Sequence, residues 1–376
     1  MTLQIRKGVT VGFQITRSKI TRGLQVFAIV SFSSLIAIFF ITRSSRTAEA
    51  LQKVNLMILI SAIAFVVLDW LGGGYRLFIF GRVLNPGLRF RTCVRANLGN
   101  YFVAAATPAQ TGGGPAQIYI LYSDGMPAVE ATSASLMTFL STVSFLIIAA
   151  SVTFAFKGKA PLPGRLLNHL FNIGIILFLF IGVLVILALA FPGFYREVAR
   201  LFFKVLSRFR RKDYFIAGSR VNGFIDGVDR CHRQLIHYLK KEWPTFLYGI
   251  FLTGGLFFIK FFIAYLVVLG LGVKASFVDI MLLQVVITLV NYFFPSPGGS
   301  GAAEFSSAAL MAAVVSTEII SVYVILWRLF TTYISVAAGG IVILHELGRK
   351  ERLELVNNHN DRPNLYGSGS TSMYQL

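Results

Sequence analysis

The stretch PSPGGSGAAE, from Pro295 to Glu304, interrupts an apolar run that extends from residue 282 to residue 315. It places two prolines, three glycines and a carboxylate in the middle of a hydrophobic segment. A helix cannot continue through such a sequence without losing backbone hydrogen bonds. Because lipid cannot satisfy free backbone groups, irregular backbone at membrane depth must be buried in protein or line a wet cavity. The stretch therefore predicts a re-entrant hairpin or a broken helix within a bilayer.

The composition of the 376-residue chain indicates an all-α polytopic membrane protein. Hydrophobic residues make up 55% of the chain and charged residues only 14%, against about a quarter charged in soluble domains. Several apolar stretches reach the roughly 18–20 residues that span a bilayer core. The net charge of +19 suits a membrane topology signal and contact with anionic phospholipids. No recognition motif accompanies the charge, so nucleic acid is not an expected partner.

Hydropathy predicts about six full spans and two interrupted regions. The full spans are placed at residues 24–41, 54–75, 129–156, 171–191, 246–270 and 322–344. The interrupted regions, at residues 93–122 and 277–316, each carry proline and clustered glycine at their centre. We interpret both as re-entrant or broken helical hairpins.

The basic residues predict the orientation of the chain. With both termini in the cytoplasm and both hairpins returning to their own side, most of the 35 lysines and arginines lie on the cytoplasmic side, as the positive-inside rule requires. This gives a basic cytoplasmic N-terminus at 1–23, a membrane domain at 24–345 and a cytoplasmic tail at 346–376. An amphipathic cytoplasmic loop at 193–244 lies within the membrane domain. The expected location is the inner (plasma) membrane.

The two interrupted regions share the pattern P-x3-G-x-G-x2-[QE]. Each copy also follows the tripeptide NYF, which begins at Asn100 and at Asn291. Three predicted spans separate the copies, so the second hairpin enters from the opposite face and forms an inverted repeat, as in many transporters. In order, the matched positions are Pro108 with Pro295, Gly112 with Gly299, Gly114 with Gly301, and Gln117 with Glu304.

The helix that restarts after each glycine cluster points its N-terminal N–H groups at the hairpin tip, where an anion is favoured. We expect Gln117 and Glu304 in the first turn of these helices, either as N-terminal caps or as cavity-lining groups. The backbone around Gly298 and Gly301 is the expected contact for a lipid headgroup.

Four ionisable residues fall inside predicted spans or hairpins, where charge is costly and indicates function. They are Glu304, Arg328, Lys260 and Asp69. A Glu304–Arg328 pair is the favoured arrangement, and it serves either as a structural link or as a functional pair that admits a phosphate. Asp69 could instead reach interfacial water, and Lys260 could snorkel towards the surface.

The motifs TPAQTGGGPAQIYIL, FFPSPGGSGAAEFSSAALM and WRLFTTYISVAAGG resemble the lysylphosphatidylglycerol synthase transmembrane-region family of flippase-like proteins. The resemblance covers residues from about 20 to 345, with the second motif its most specific part. It implies translocation of lipid between leaflets. One branch of the family adds a soluble synthase domain. This chain ends soon after its last span, so aminoacyl transfer to lipid is not implied.

The expected function is therefore a flippase or scramblase for a phospholipid or glycolipid with a polar headgroup. Two alternatives stay open: an integral transferase acting on polyprenyl-phosphate-linked sugars, and a membrane partner of a lipid-modifying enzyme. No protease, hydrolase or nucleotide-binding motif is recognised, so no catalytic residue, cofactor or metal is assigned. The cargo, direction, energy source and oligomeric state are left open by the sequence.

Overall fold

A computed structural model describes residues 17–42, 55–156 and 214–360, together with scattered positions between 172 and 197. These residues are almost entirely helical, which confirms the all-α polytopic fold. The predicted span at 171–191 and the amphipathic segment up to residue 213 fall largely outside the described residues. Residues 1–16 and 361–376 of the predicted N-terminus and tail lie outside them as well.

The described helices are numbered here in chain order. The first five are α1 (Arg17–Thr42), α2 (Leu56–Leu84), α3 (Phe90–Ala105), α4 (Gly113–Ser123) and α5 (Ala128–Phe156). The next three are α6 (Tyr214–Lys241), α7 (Trp243–Gly270) and α8 (Phe277–Phe293). They are followed by α9 (Ala302–Met311), α10 (Ile320–Arg328), a π-helical segment (Leu329–Tyr333) and α11 (Ile334–Asn360).

Five of these helical stretches are long and apolar enough, among the described residues, to cross a membrane. They run Ile20–Thr42, Leu56–Leu84, Ala128–Ala155, Trp243–Gly270 and Ile320–Arg349. Five of the six predicted full spans are thus present as helices. Helix α7 packs against α2, α5, α8 and α10, so it lies at the centre of the bundle.

Helix α2 continues beyond the predicted end at residue 75 as far as Leu84. Its glycines do not end the helix, because they serve close packing against α3. A Cβ on Gly73 would lie 2.4 Å from the Asn97 amide nitrogen, and one on Gly74 would lie 2.6 Å from a Val94 methyl. Small residues that let helices approach closely are a common packing device in membranes.

Both interrupted regions are broken helical hairpins, as predicted. The first joins α3 to α4 through residues 106–112, and the second joins α8 to α9 through residues 294–301. The last span is also irregular, since a π-helical segment follows Arg328 directly. Such π-helical insertions occur frequently at functional sites.

The two hairpin tips touch, and they have the same local conformation. An isolated antiparallel bridge joins Pro108 to Pro297. The residue after each of these prolines has positive φ, +48° at Ala109 and +58° at Gly298. The next residue does as well, with +58° at Gln110 and +69° at Gly299.

Backbone hydrogen bonds repeat in the same register. The Thr111 N–H donates to the Pro108 carbonyl at 3.2 Å, and the Ser300 N–H donates to the Pro297 carbonyl at 3.0 Å. Because each tip meets its own equivalent residue in the other copy, the contact is isologous, which is the signature of a local two-fold axis. This geometry supports the inverted repeat.

The structural register corrects the sequence alignment by two residues. The motif pairs Pro108 with Pro295, whereas the structure pairs Pro108 with Pro297. The N-cap residues of α4 and α9 are Gly112 and Gly301, in agreement with the shifted register. Gln117 is consequently the fifth residue of α4 and not part of its first turn, so that prediction was wrong. Backbone conformation, and not the identity of the flanking glycines, determines which positions are equivalent.

Candidate functional site

A cavity of about 170 Å³ lies where the two hairpins meet α7 and the π-helical segment. Both hairpins contribute to it, with Tyr101 and Gln110 from the first and Asn291 and Gly298 from the second. Its polar lining also includes Lys260, Gln284, Thr288, Tyr292, Arg328, Thr331, Thr332 and Ser335. A cavity with both polar and apolar walls thus occupies the contact between the two halves of the repeat.

Glu304 and Arg328 form a buried ion pair beside this cavity. The Arg328 Nε donates to Glu304 Oε1 at 2.9 Å, and the residues are 3% and 0% exposed respectively. The other carboxylate oxygen accepts the Gly301 N–H at 2.8 Å, so Glu304 also caps α9. Ser31 of α1 donates a further hydrogen bond to Oε1. One carboxylate therefore connects α9, α10 and α1.

Arg328 lines the cavity, and its guanidinium is only partly satisfied. Nη1 donates to the Thr332 hydroxyl at 3.2 Å. Within the part of the chain that the structure describes, the buried Nη2 has no hydrogen-bond partner. A buried donor without a partner is costly, and here it belongs to a side chain of the cavity wall. An anion that reached this nitrogen would supply the missing acceptor.

A second charged group, Lys260, also lines the cavity. The Lys260 Nζ is 3.7 Å from Asp69 Oδ1, and the Tyr101 hydroxyl donates to Asp69 Oδ2 at 2.7 Å. The ammonium also lies over the rings of Tyr101 and Phe257, at 5.0 and 5.9 Å. Asp69 is 5% exposed, so it is part of the packed interior in this structure. Lys260 is held at the cavity by its partners.

Arg76 is a charged residue that the sequence did not single out as a site candidate. The structure places it inside α2, where Nη1 donates to the hydroxyls of Thr142 and Thr253 at 3.0 and 2.9 Å. Its buried Nε has no hydrogen-bond partner among the described residues, and Asp69 lies within electrostatic range. The signal in the sequence is an arginine two positions after a glycine triplet in a long apolar run.

The charges around the cavity do not balance. Among the described residues, Lys260 and Arg328 line the cavity and pair with Asp69 and Glu304. Arg76 does not line it but lies within electrostatic range of Tyr101 and Tyr292 in its wall. With Arg76 counted, the described groups in and near the cavity carry one excess positive charge within the helical bundle. Electrostatic interactions are stronger in such surroundings than in water, and the arrangement favours one bound anion.

Of the other candidate residues in the second hairpin and at the tips, one lines the cavity and the others form the hairpin turns. Gly298 lines the cavity, while Gly299 and Gly301 shape the turn beside it with φ of +69° and +83°. Pro108 and Pro295 are exposed at the tips. These prolines end the helices and do not line the cavity.

The remaining candidates of the first hairpin stabilise its turn or pack against α5. The Gly112 N–H donates to the Thr107 hydroxyl at 2.8 Å. Gly114 faces α5, with an added Cβ 3.8 Å from the Ser135 hydroxyl. Gln117 accepts a hydrogen bond from that same Ser135 hydroxyl at 2.8 Å. Gln117 therefore packs the first hairpin against α5 and is not brought to the cavity.

Fold and site together define a multi-pass α-helical membrane protein with two broken hairpins that meet at a charged cavity. Residues 25–339 match the family model described as lysylphosphatidylglycerol synthase TM region. The chain belongs to this family, and the resemblance seen in its motifs is confirmed. It is also similar to a UPF0104 membrane protein of Archaeoglobus fulgidus, with 24% identity over 328 residues. That match covers 85% of this chain and 95% of the archaeal protein.

Proposed function

We propose that the protein is a lipid flippase or scramblase that moves a lipid with an anionic phosphate headgroup between leaflets of the inner membrane, with both termini in the cytoplasm. The observation that carries the proposal is the partly unsatisfied Arg328 guanidinium in a cavity between the two hairpin tips. The phosphate accepts from Nη2 of Arg328 and pairs with Lys260, offsetting the surplus positive charge. Membrane lipids are the partners that this function requires.

The size of the cavity supports a headgroup site and not a site for a whole lipid. Its volume of about 170 Å³ is below the ~300–1,000 Å³ of ordinary small-molecule pockets. A phosphate enters, and the acyl chains stay in the bilayer. The inverted repeat gives both leaflets equivalent access, because transporters of this type rock or open one half against the other around a fixed site.

Reconstitution tests the proposal directly. Purified protein is reconstituted into vesicles that contain a fluorescent phosphatidylglycerol. An impermeant quencher is added outside without ATP, and the decrease in fluorescence measures how fast labelled lipid moves from the inner to the outer leaflet. We expect wild-type protein to accelerate exchange, and Arg328→Gln to reduce the acceleration at least tenfold. Arg82→Gln is the matched control, since Arg82 is an exposed arginine in the last turn of α2. Exchange no faster than in protein-free vesicles would contradict the proposal.

A further inference from the structure

A second and larger cavity, of about 800 Å³, lies at the base of the first hairpin, away from the tips. Its walls are the loop between α2 and α3, the N-terminus of α3, the turn between α4 and α5, and α11. It shares no lining residue with the central cavity. We refer to it as the basal cleft.

Four arginines line the basal cleft: Arg89, Arg91, Arg95 and Arg349. Opposing them are Asp124, which also lines the cleft, and the buried Glu346, which pairs with Arg95. The described residues therefore leave a surplus of two positive charges. A concave surface with an excess of one sign of charge attracts counter-ions.

The carboxylates of the cleft are already occupied by protein groups. Asp124 Oδ2 accepts from Arg95 and from the Thr92 hydroxyl, and Oδ1 accepts from Arg349 Nη2 at 2.8 Å. Arg349 also donates to the Ser123 carbonyl at 3.1 Å. These bonds join the base of α3, the α4–α5 turn and α11, so the negative charge is used in fixing the walls.

Arg89 and Arg91 are exposed and form no ion pair within the described part of the chain. They flank the start of α3, whose N-cap residue Arg89 makes no side-chain capping bond. The free N–H groups of this 16-residue helix and its positive dipole end therefore open beside two unpaired guanidinium groups. Arginine suits phosphate because its planar fork can donate two parallel hydrogen bonds.

The cleft lies beside the ends of two candidate spans, where lipid headgroups are expected. Two candidate spans end there, at Leu84 and at Arg349, and residues of the cleft follow or coincide with these ends. Basic pockets between membrane helices on the cytoplasmic side are suited to anionic headgroups.

We propose that the basal cleft is a second binding site, which takes a phosphate-bearing anion between Arg89, Arg91 and the N-terminus of α3. The same chemistry is presented by an anionic phospholipid of the adjacent leaflet and by free phosphate. None of its residues lines the central cavity.

The test is ligand binding to the purified full-length protein in detergent, followed by native mass spectrometry. The probes are phosphatidylglycerol, which is anionic, and phosphatidylcholine, which is net neutral. We expect the double variant Arg89→Gln/Arg91→Gln to weaken phosphatidylglycerol binding at least tenfold and to leave phosphatidylcholine unchanged. Each single variant should lie between the double variant and wild type. Both positions are exposed, so the variants should keep the wild-type unfolding temperature.

Arg82→Gln is again the matched control. Arg82 lies in the last turn of α2, close to the α2–α3 loop of the cleft, but it does not line the cleft. Inorganic phosphate is titrated in parallel, with protection against thermal unfolding as the readout. Protection of wild type but not of the double variant supports the site and assigns free phosphate as a ligand. Two results would overturn the proposal: an equal loss of lipid binding in Arg82→Gln, or unchanged binding of both probes in the double variant.

Discussion

Nε of Arg328 lies 2.9 Å from Oε1 of Glu304, and neither side chain is more than 4% exposed. The pair connects the restarting helix of the second hairpin to the last span, directly before the π-helical segment. Glu304 satisfies its remaining oxygen with the Gly301 N–H, whereas Arg328 keeps one nitrogen without a described partner. The carboxylate therefore has a structural role and the guanidinium has capacity for a ligand.

Neutralising one member of this pair should destabilise the protein more than neutralising both. Glu304→Gln leaves Arg328 as a buried charge, which typically costs ~3–5 kcal/mol. Arg328→Gln leaves the carboxylate in the same position. We expect both single variants to unfold at clearly lower temperature in detergent than Glu304→Gln/Arg328→Gln.

The translocation rate of the double variant separates structure from function. A double variant that folds but does not exchange lipid indicates that the charges serve the cargo. Recovery of transport by the double variant would assign the pair a structural role only. Single variants with wild-type stability and transport would remove both residues from the account.

Alanine at Gly298 should disturb the second tip, whereas alanine at Gly114 should be tolerated. A Cβ at Gly298 would lie 2.8 Å from the Phe27 ring and 3.1 Å from the Ala105 Cα. Its φ of +58° adds about 1–2 kcal/mol for a residue with a side chain. A Cβ at Gly114 meets only the Ser135 hydroxyl, at 3.8 Å. Gly298→Ala should lower the unfolding temperature and the lipid exchange rate more than Gly114→Ala does. Equal effects of the two variants would contradict the tip geometry.

Lys260→Gln should slow the exchange of anionic lipid by roughly tenfold, or about 1.4 kcal/mol. The substitution removes one of the cations that line the central cavity, and it leaves Asp69 bonded to Tyr101. Zwitterionic phosphatidylcholine should be affected less, because its headgroup already carries a compensating charge. The comparison is made in the same vesicles with two fluorescent lipids. An equal decrease for both lipids would argue against a role of Lys260 in charge recognition.

The ion network at the base of the first hairpin should make the stability of the protein depend on pH in the acidic range. Burial opposes ionisation of Asp124, but hydrogen bonds from Thr92 and Arg349 and the charges of Arg95 and Arg349 lower its pKa below the ordinary value. Because the pKa of Asp124 is lower in the folded than in the unfolded state, the stability that its carboxylate contributes is fully present above the unfolded-state pKa, near 4. It is lost as the pH falls through the folded value.

Asp124→Asn provides the control for this pH dependence. The variant should be less stable than wild type at pH 7, and the difference should shrink below about pH 4, where the wild-type carboxyl takes up a proton. Thermal unfolding across a pH series measures both curves. A difference that stays constant with pH would contradict the assignment.

Local chemistry made the two breaks predictable. Proline and clustered glycine occur together around Pro108 and Pro295, and this combination predicted both hairpins from the sequence alone. Buried charge was similarly visible, because Glu304 and Arg328 stand out in apolar surroundings. The pair itself was predicted, since the last span had to pack near the second hairpin.

Features that depend on tertiary packing were not predictable in this way. Arg76 follows a predicted span end in the sequence but lies half-buried within α2, because α5 and α7 supply two hydroxyls that accept its hydrogen bonds. The sequence alignment of the repeats was shifted because residue identity alone does not determine the backbone φ angle. Ala109 takes the left-handed conformation that Gly298 takes in the other copy. The network around Asp124 joins residues more than 200 positions apart.

Disulfide cross-linking at the hairpin tips tests the central claim, that two equivalent tips meet around a local two-fold axis. In a background with Cys93 and Cys231 replaced by alanine, Pro108→Cys is combined with either Pro297→Cys or Pro295→Cys. Residues opposed in an antiparallel bridge have Cα atoms about 4.5–5.5 Å apart, within the range of about 4.4–6.8 Å for a disulfide. Oxidation should link residue 108 to residue 297 much faster than to residue 295, as measured by mass spectrometry of the linked peptides. Equal rates for both pairs, or no linkage between 108 and 297, would contradict this claim.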